Sequence, residues 1–228
     1  MFMKPELIVM LTHNDQTVEN ALELFDDMKD TPVKHWGFKD VGLSKEETKE
    51  LAQAMANAGK TTYLEVVSLS EEEGLEGANL AVESGVDILM GTVFFDSINE
   101  YLKDKPVAYY PFPGHVYSHP SILDGSVEEI ITHARILESK GVDGMDLLAY
   151  RYTGDATHLL KAVVEATNVP IVSAGSIASY ERIAEVWSAR TWGFTIGTAF
   201  FERKFVVDGS FKENMMVVWN WMQVRDAP

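Results

Sequence analysis

Cysteine is absent from the 228 residues. That excludes disulfides, a thiolate nucleophile and any thiolate-held metal, and it is compatible with a reducing compartment. Long apolar runs are also missing. The opening stretch, MFMKPELIVMLTHND, is broken early by polar residues and lacks a signal-peptide layout, and no segment approaches a membrane span. The expectation is a soluble, cytoplasmic protein with no membrane partner. Positive charge is scarce: 19 Lys and Arg face 35 Asp and Glu, a formal net charge of −16. Nucleic-acid binding runs on Lys and Arg contacts to phosphate, so no nucleic-acid partner is expected. The same field repels small anions. A site built from backbone N–H groups partly escapes that problem, because its pull does not depend on net charge.

What is present is an apolar fraction of 46%, enough for a sizeable core. Apolar runs of strand length fall at 6–12, 33–41, 61–68, 86–94, 106–112, 142–150, 169–174 and 192–200. Amphipathic segments of helix length alternate with them, at 17–29, 45–58, 71–84, 96–103, 127–140, 155–167, 180–190 and 212–224. Continuous apolar strands suit a parallel sheet covered on both faces. Ser44 with Glu47, and Ser126 with Glu129, form capping-box patterns at two helix starts. Gly59, Gly85 and Gly141 stand where helix C-caps belong. A weak repeat pairs Gly85-Val86-Asp87 with Gly141-Val142-Asp143. This strict alternation predicts a single (β/α)8 TIM barrel spanning 1–228, with a doubly wound open sheet as the runner-up. The longest irregular stretch is Pro111–Gly125, PFPGHVYSHPSILDG, and loops of that length in compact domains are often functional.

In such a barrel the site lies at the C-terminal ends of the strands. The seventh strand runs into SAGSIAS, Ser173–Ser179, and the eighth ends in IGTA, Ile196–Ala199. Small residues let a ligand approach the backbone, and neighbouring turns there can converge on one anion. The alternative is that both are turns needing small residues for geometry alone. With these residues in view, PIVSAGSIAS and GFTIGTAFFE resemble the ribulose-phosphate-binding barrel superfamily. That group includes the phosphoribosyl isomerases, indole-glycerol-phosphate synthase and the sugar-phosphate epimerases and decarboxylases. The resemblance implies that Gly175, Ser176, Gly197 and Thr198 hold a ligand phosphate. The chain departs from the family in having Ala174-Gly175 where a double glycine is common. It also lacks the catalytic cysteine of the tryptophan-pathway isomerases and the Asp-x-Lys-x-x-Asp motif of the decarboxylases, which disfavours both activities.

Lys39 and Glu65 are charges embedded in apolar strands, costly unless paired. Period two turns Tyr63, Glu65 and Val67 to one face, so Glu65 can meet Lys39 of the adjacent strand. The pair reads as acid/base machinery, or as a structural ion pair. A specific variant is a Schiff base on Lys39. Asp146, inside the sixth strand, is a further catalytic candidate. Arg151, at the barrel mouth, is a substrate-orienting cation or a surface salt bridge. His13 is a base or ligand, although Asn14 and Asp15 beside it look like the N-cap region of the first helix. Thr92, Tyr110, His115 and His119 are weaker candidates. His13, His35, Asp40 and Glu65 do not reproduce a paired His/Asp metal arrangement, so no metal and no cofactor is expected. The apolar stretch Met215–Met222 reads as a last helix packed on the barrel, with a face available for a possible homodimer.

The expected function is an isomerase, epimerase or lyase acting on a phosphorylated sugar-like substrate. The competing class is a non-catalytic barrel that senses a phosphorylated metabolite and resembles the glycerol uptake operon antiterminators.

Overall fold

The computed structural model describes residues 4–225. Eight parallel strands form the barrel: β1 Glu6–Met10, β2 His35–Lys39, β3 Thr61–Val66, β4 Ile88–Val93, β5 Ala108–Phe112, β6 Met145–Leu147, β7 Ile171–Ser173 and β8 Gly193–Ile196. Their order in the sheet is β6-β7-β8-β1-β2-β3-β4-β5. The seam between β5 and β6 is closed by Asp143, whose N–H donates to the Tyr109 carbonyl at 3.1 Å and whose carboxylate accepts the Tyr109 N–H at 2.9 Å. A single nearly closed barrel results, and the open-sheet alternative is set aside.

Helices follow the strands: α1 Ala21–Met28, α2 Lys45–Asn57, α3 Glu71–Ser84, α4 Asp96–Leu102, α5 Val127–Ser139, α6 Ala156–Ala166, α7 Tyr180–Ser188, α8 Thr198–Phe201 and α9 Phe211–Val224. Both expected capping boxes form, at Ser44 and Ser126, and a third forms at Ser210. Met215, Val218 and Met222 of α9 are buried. No helix among the described residues is long and apolar enough to cross a membrane.

Three stretches differ from the sequence expectation. The first helix starts at Ala21 behind Asn20, not at Thr17, because residues 12–17 form a small hairpin instead. Asn14 (φ +50°) and Asp15 (φ +64°) make its two-residue turn. Left-handed geometry at both central positions is the type I′ turn, for which Asn and Asp are suited. The sixth strand stops at Leu147 and passes into a 3-10 turn, Ala149–Arg151. The eighth strand stops at Ile196, and α8 follows directly. The irregular stretch after β5 folds back as a second hairpin, His115–Tyr117 against Ile122–Asp124, anchored by buried Val116 and Leu123.

Candidate active site

β2 ends on Lys39, and Glu65 of β3 stands opposite it in the parallel register. Alternation places Gly37, Lys39, Tyr63 and Glu65 on one face. A side chain at Gly37 has no room, because a Cβ there would meet Met10 Sδ at 2.5 Å and Tyr63 Cβ at 3.1 Å. Lys39 Nζ lies 3.0 Å from Glu65 Oε1 and 2.7 Å from Asp15 Oδ1. Asp15 Oδ1 also accepts from Arg151 Nη2 at 2.9 Å. The first hairpin therefore delivers a buried carboxylate onto both cations. His119, at the tip of the second hairpin, brings Nδ1 within 3.5 Å of Asp15 Oδ2.

Burial alone would raise the Asp15 carboxyl, but Lys39 and Arg151 outweigh it and hold it at about 2. Burial would likewise lower the Lys39 ammonium, yet Glu65 and Asp15 outweigh that and raise it. Lys39 is thus held charged. Asp146 behaves oppositely. It is 0% exposed, and among the described residues neither carboxyl oxygen has a well-formed hydrogen bond. Burial, then the nearby Glu65 charge, pushes it well above the usual carboxylate range. Two carboxyl groups in one cluster are thus driven apart, one held low and one pushed up, a pattern common where acid/base work is done.

A cavity of about 530 Å³ opens over this network, a size typical of small-molecule sites. Asp15, Lys39, Glu65 and Arg151 line it together with Gly175, Ser176, Gly197 and Thr198. Gly175 has φ +79°, and a Cβ there would stand 2.7 Å from Arg151 Nε, so this glycine makes room for the guanidinium. A Cβ at Gly197 would meet Thr12 Oγ1 at 2.5 Å and the Met10 carbonyl at 2.9 Å. α8 starts at Thr198, and its Phe200 N–H already donates to the Gly197 carbonyl at 2.9 Å.

Seven of the expected residues thus line one cavity: Lys39, Glu65, Arg151, Gly175, Ser176, Gly197 and Thr198. Asp146 is fully buried and outside that lining. His13 departs from the expectation: its ring packs against Phe201, 5.5 Å between centroids, away from the cavity wall. The reason is the hairpin, which turns Asn14 and Asp15 to the cavity and leaves His13 on α8. Among the weaker candidates, Thr92 donates to the Ser68 carbonyl, Tyr110 fills the barrel beside Gly144, and His115 stacks on Tyr117. Three charged lining residues were not among the sequence candidates, Asp15, Arg182 and Glu202. The signal for Asp15 was present, since Asn-Asp between Thr-His and Gln-Thr is a hairpin-turn pattern. No group of three or more His, Asp or Glu among the described residues is arranged to hold a metal ion.

No protein-family model matches the chain, and no curated protein matches its sequence. Solved structures do match its fold. A structure described as native KDPGal superposes with a TM-score of 0.67 over 97% of this chain and 97% of that one, at 11% identity. The N-acetylmannosamine-6-phosphate 2-epimerase from Clostridium perfringens gives a TM-score of 0.63 over 95% and 93%, at 9% identity. The glycerol uptake operon antiterminator regulatory protein from Listeria monocytogenes gives 0.57 over 86% and 94%, at 12% identity. At these identities the likeness is one of fold alone, a (β/α)8 barrel.

Proposed function

We propose that this barrel is an isomerase or epimerase of a small phosphorylated, sugar-like metabolite, working by proton transfer next to a carbonyl. The observation that carries the reading is the junction of two features in one cavity. A buried Lys39–Glu65–Asp15–Arg151 network and the turns after β7 and β8 line the same cavity, with Arg151 packed against Gly175. Backbone at Gly175–Ser176 and Gly197–Thr198 holds the phosphate, the position in which TIM barrels commonly bind one. Arg151 has guanidinium donors beyond the one given to Asp15, and these orient the substrate.

Glu65 takes the proton from the carbon beside the carbonyl, and the C–H electron pair moves into an enolate. The Lys39 ammonium, kept charged by its two carboxylates, stabilises the developing oxyanion. Return of the proton to the neighbouring carbon is isomerisation, and return to the opposite face is epimerisation. Asp146, buried outside the cavity lining and close enough to feel the Glu65 charge, is a proton reserve behind Glu65 rather than a group that touches the substrate. A Schiff base on Lys39 would need a neutral amine, so the charged state of Lys39 favours acid/base chemistry over Lys-linked aldol cleavage.

The test has two stages. A thermal-shift panel of sugar phosphates, with unphosphorylated sugars as controls, identifies ligands that stabilise the native state. Hits are then incubated in D2O, and loss of the C–H signal is followed by proton NMR. Exchange with the wild-type protein and none with Glu65→Gln is the expected result. No stabilisation by any phosphorylated compound overturns the phosphate reading. One observation favours a second reading, a non-catalytic sensor: every charge on Lys39 is already answered by a carboxylate, as in a static scaffold. Ligand binding that survives Lys39→Met, with no exchange by the wild-type protein, selects the sensor.

A further inference from the structure

Three cations line the cavity: Lys39, Arg151 and Arg182. Lys39 and Arg151 are held by Asp15 and Glu65. Glu202 on the same wall is paired with Lys204 at 3.1 Å. Arg182 is different. Among the described residues it makes no salt bridge to a carboxylate. It is the third residue of α7, where the helix leaves the Ser173–Ser179 turn, and its backbone N–H is capped by Ser179 Oγ at 3.4 Å. Its guanidinium donates to the Ser176 carbonyl and lies over the Tyr150 ring, 4.9 Å from the centroid. The Tyr150 hydroxyl donates to Glu185 Oε2 at 2.8 Å, with the Arg182 carbonyl 3.1 Å away. A ring and a carbonyl therefore hold this arginine in place without neutralising it. Both guanidinium groups reach one turn, Arg151 at Gly175 and Arg182 at Ser176.

We propose that Arg182 is the specificity-determining cation of the anion site: with Arg151, it selects a phosphomonoester dianion over a singly charged carboxylate. The proposal rests on the phosphate reading above and narrows its ligand class. The Lys39 and Arg151 charges are largely spent on Asp15 and Glu65, so the uncompensated charge on this wall is that of Arg182. A dianion needs that second charge, and a carboxylate does not. The planar fork of a guanidinium also fits two phosphoryl oxygens at once, which an ammonium cannot reproduce.

The experiment is calorimetric titration of the full chain with glycerol 3-phosphate, glycerate and inorganic phosphate. The wild-type protein is expected to bind glycerol 3-phosphate at least about tenfold more tightly than glycerate. Arg182→Met is expected to weaken glycerol 3-phosphate by about tenfold to a hundredfold, the usual weight of charge-assisted hydrogen bonds, and glycerate by less than about threefold. Arg182→Lys recovers part of the affinity but not the preference. Arg182→Gln serves the same comparison if the Met variant fails to fold. A merely structural role weakens both ligands alike, and that result overturns the inference. Unchanged binding in Arg182→Met also overturns it while leaving the phosphate reading intact. A wild-type protein that binds neither glycerol 3-phosphate nor inorganic phosphate overturns both.

Discussion

The two ends of the barrel use aspartate in opposite ways. At the base, Asp87 Oδ2 accepts the Thr62 N–H at 2.7 Å and its hydroxyl at 2.8 Å, and Asp143 accepts the Tyr109 N–H at 2.9 Å. Each follows a left-handed glycine that closes the preceding helix, Gly85 (φ +68°) and Gly141 (φ +84°). The Gly-Val-Asp repeat is thus a brace that ties each new strand to its neighbour. At the mouth, Asp15 pairs with side-chain cations, and Asp146 is buried with its carboxyl oxygens lacking well-formed partners. The base satisfies its exposed aspartates with buried backbone N–H donors and the Thr62 hydroxyl. The mouth keeps charges in a buried cluster, beside left-handed turns at Asp15 and Ser176. Strain and imperfect satisfaction tend to persist where chemistry needs them.

The strongest way to break this contrast is to remove one carboxylate from each end. Glu65→Gln at the mouth is expected to slow proton exchange by about a hundredfold to ten-thousandfold, the usual weight of a general base. Asp87→Ala at the base is expected to leave exchange per folded molecule unchanged and to cost about 1–3 kcal/mol of stability, from its lost hydrogen bonds. Exchange rates by NMR and urea midpoints check both. Equal loss of exchange in the two variants would erase the distinction.

A glycine at each end gives the next largest effect. Gly197→Ala forces a Cβ to 2.5 Å from Thr12 Oγ1 and 2.9 Å from the Met10 carbonyl. Backbone cannot give way there, so about 3 kcal/mol of stability and most phosphate affinity should be lost. Gly85→Ala meets nothing within 4 Å and carries only left-handed strain, about 1–2 kcal/mol, with affinity unchanged. Thermal melts with and without ligand separate the two. A Gly197→Ala protein that binds phosphate normally would mean the turn after β8 is only a turn.

Most of the base was legible in the sequence, and only part of the mouth. Strand and helix positions follow from local periodicity and caps, so Ser44, Ser126, Gly85 and Gly141 fall where expected. Lys39 and Glu65 were readable as a pair because alternation and parallel register are both local rules. Arg182 was not, and Asp15 was readable only through its turn pattern, because their roles depend on turns. Asp15 enters the cluster only because two consecutive residues adopt positive φ, and Arg182 only because the Tyr150 ring, 32 residues earlier in chain, supports it. His13 lies off the cavity for the same reason, since the hairpin aims its neighbours rather than itself at the cavity.

pH sharpens the comparison further. Asp15 is held at about 2, below its ordinary 3.8, so its contribution to stability is present above that ordinary value and is lost as pH falls towards 2. Asp146, and Asp40 at about 6, are raised, first of all by burial. Their protonated forms favour the fold below about pH 4, and that contribution is lost as pH rises, through about 6 for Asp40. Asp146→Asn keeps a neutral group in place, so its stability should fall less steeply than wild type between pH 4 and 7. Urea unfolding across that range measures the slopes, and identical slopes would mean that Asp146 is ionised in the fold.

The smallest expected effect concerns the second hairpin. His119 is 54% exposed and meets the buried Asp15 Oδ2 at 3.5 Å, and a pair with one solvent-screened partner at that distance contributes about 0–1 kcal/mol. Lys49–Glu83, at 2.7 Å on the outer helices α2 and α3, is an exposed pair of the same strength class with no cavity beneath it. His119→Ala and Lys49→Ala should therefore cost similarly little in stability, and added salt should shrink both costs. They should part in binding. Pro120, the next residue after His119, lines the cavity, so loosening that tip raises the entropy a ligand must remove, and His119→Ala should weaken phosphate binding by about twofold to threefold. Lys49→Ala should not move it. Equal affinities in the two variants would mean that the hairpin rests on the mouth without closing it.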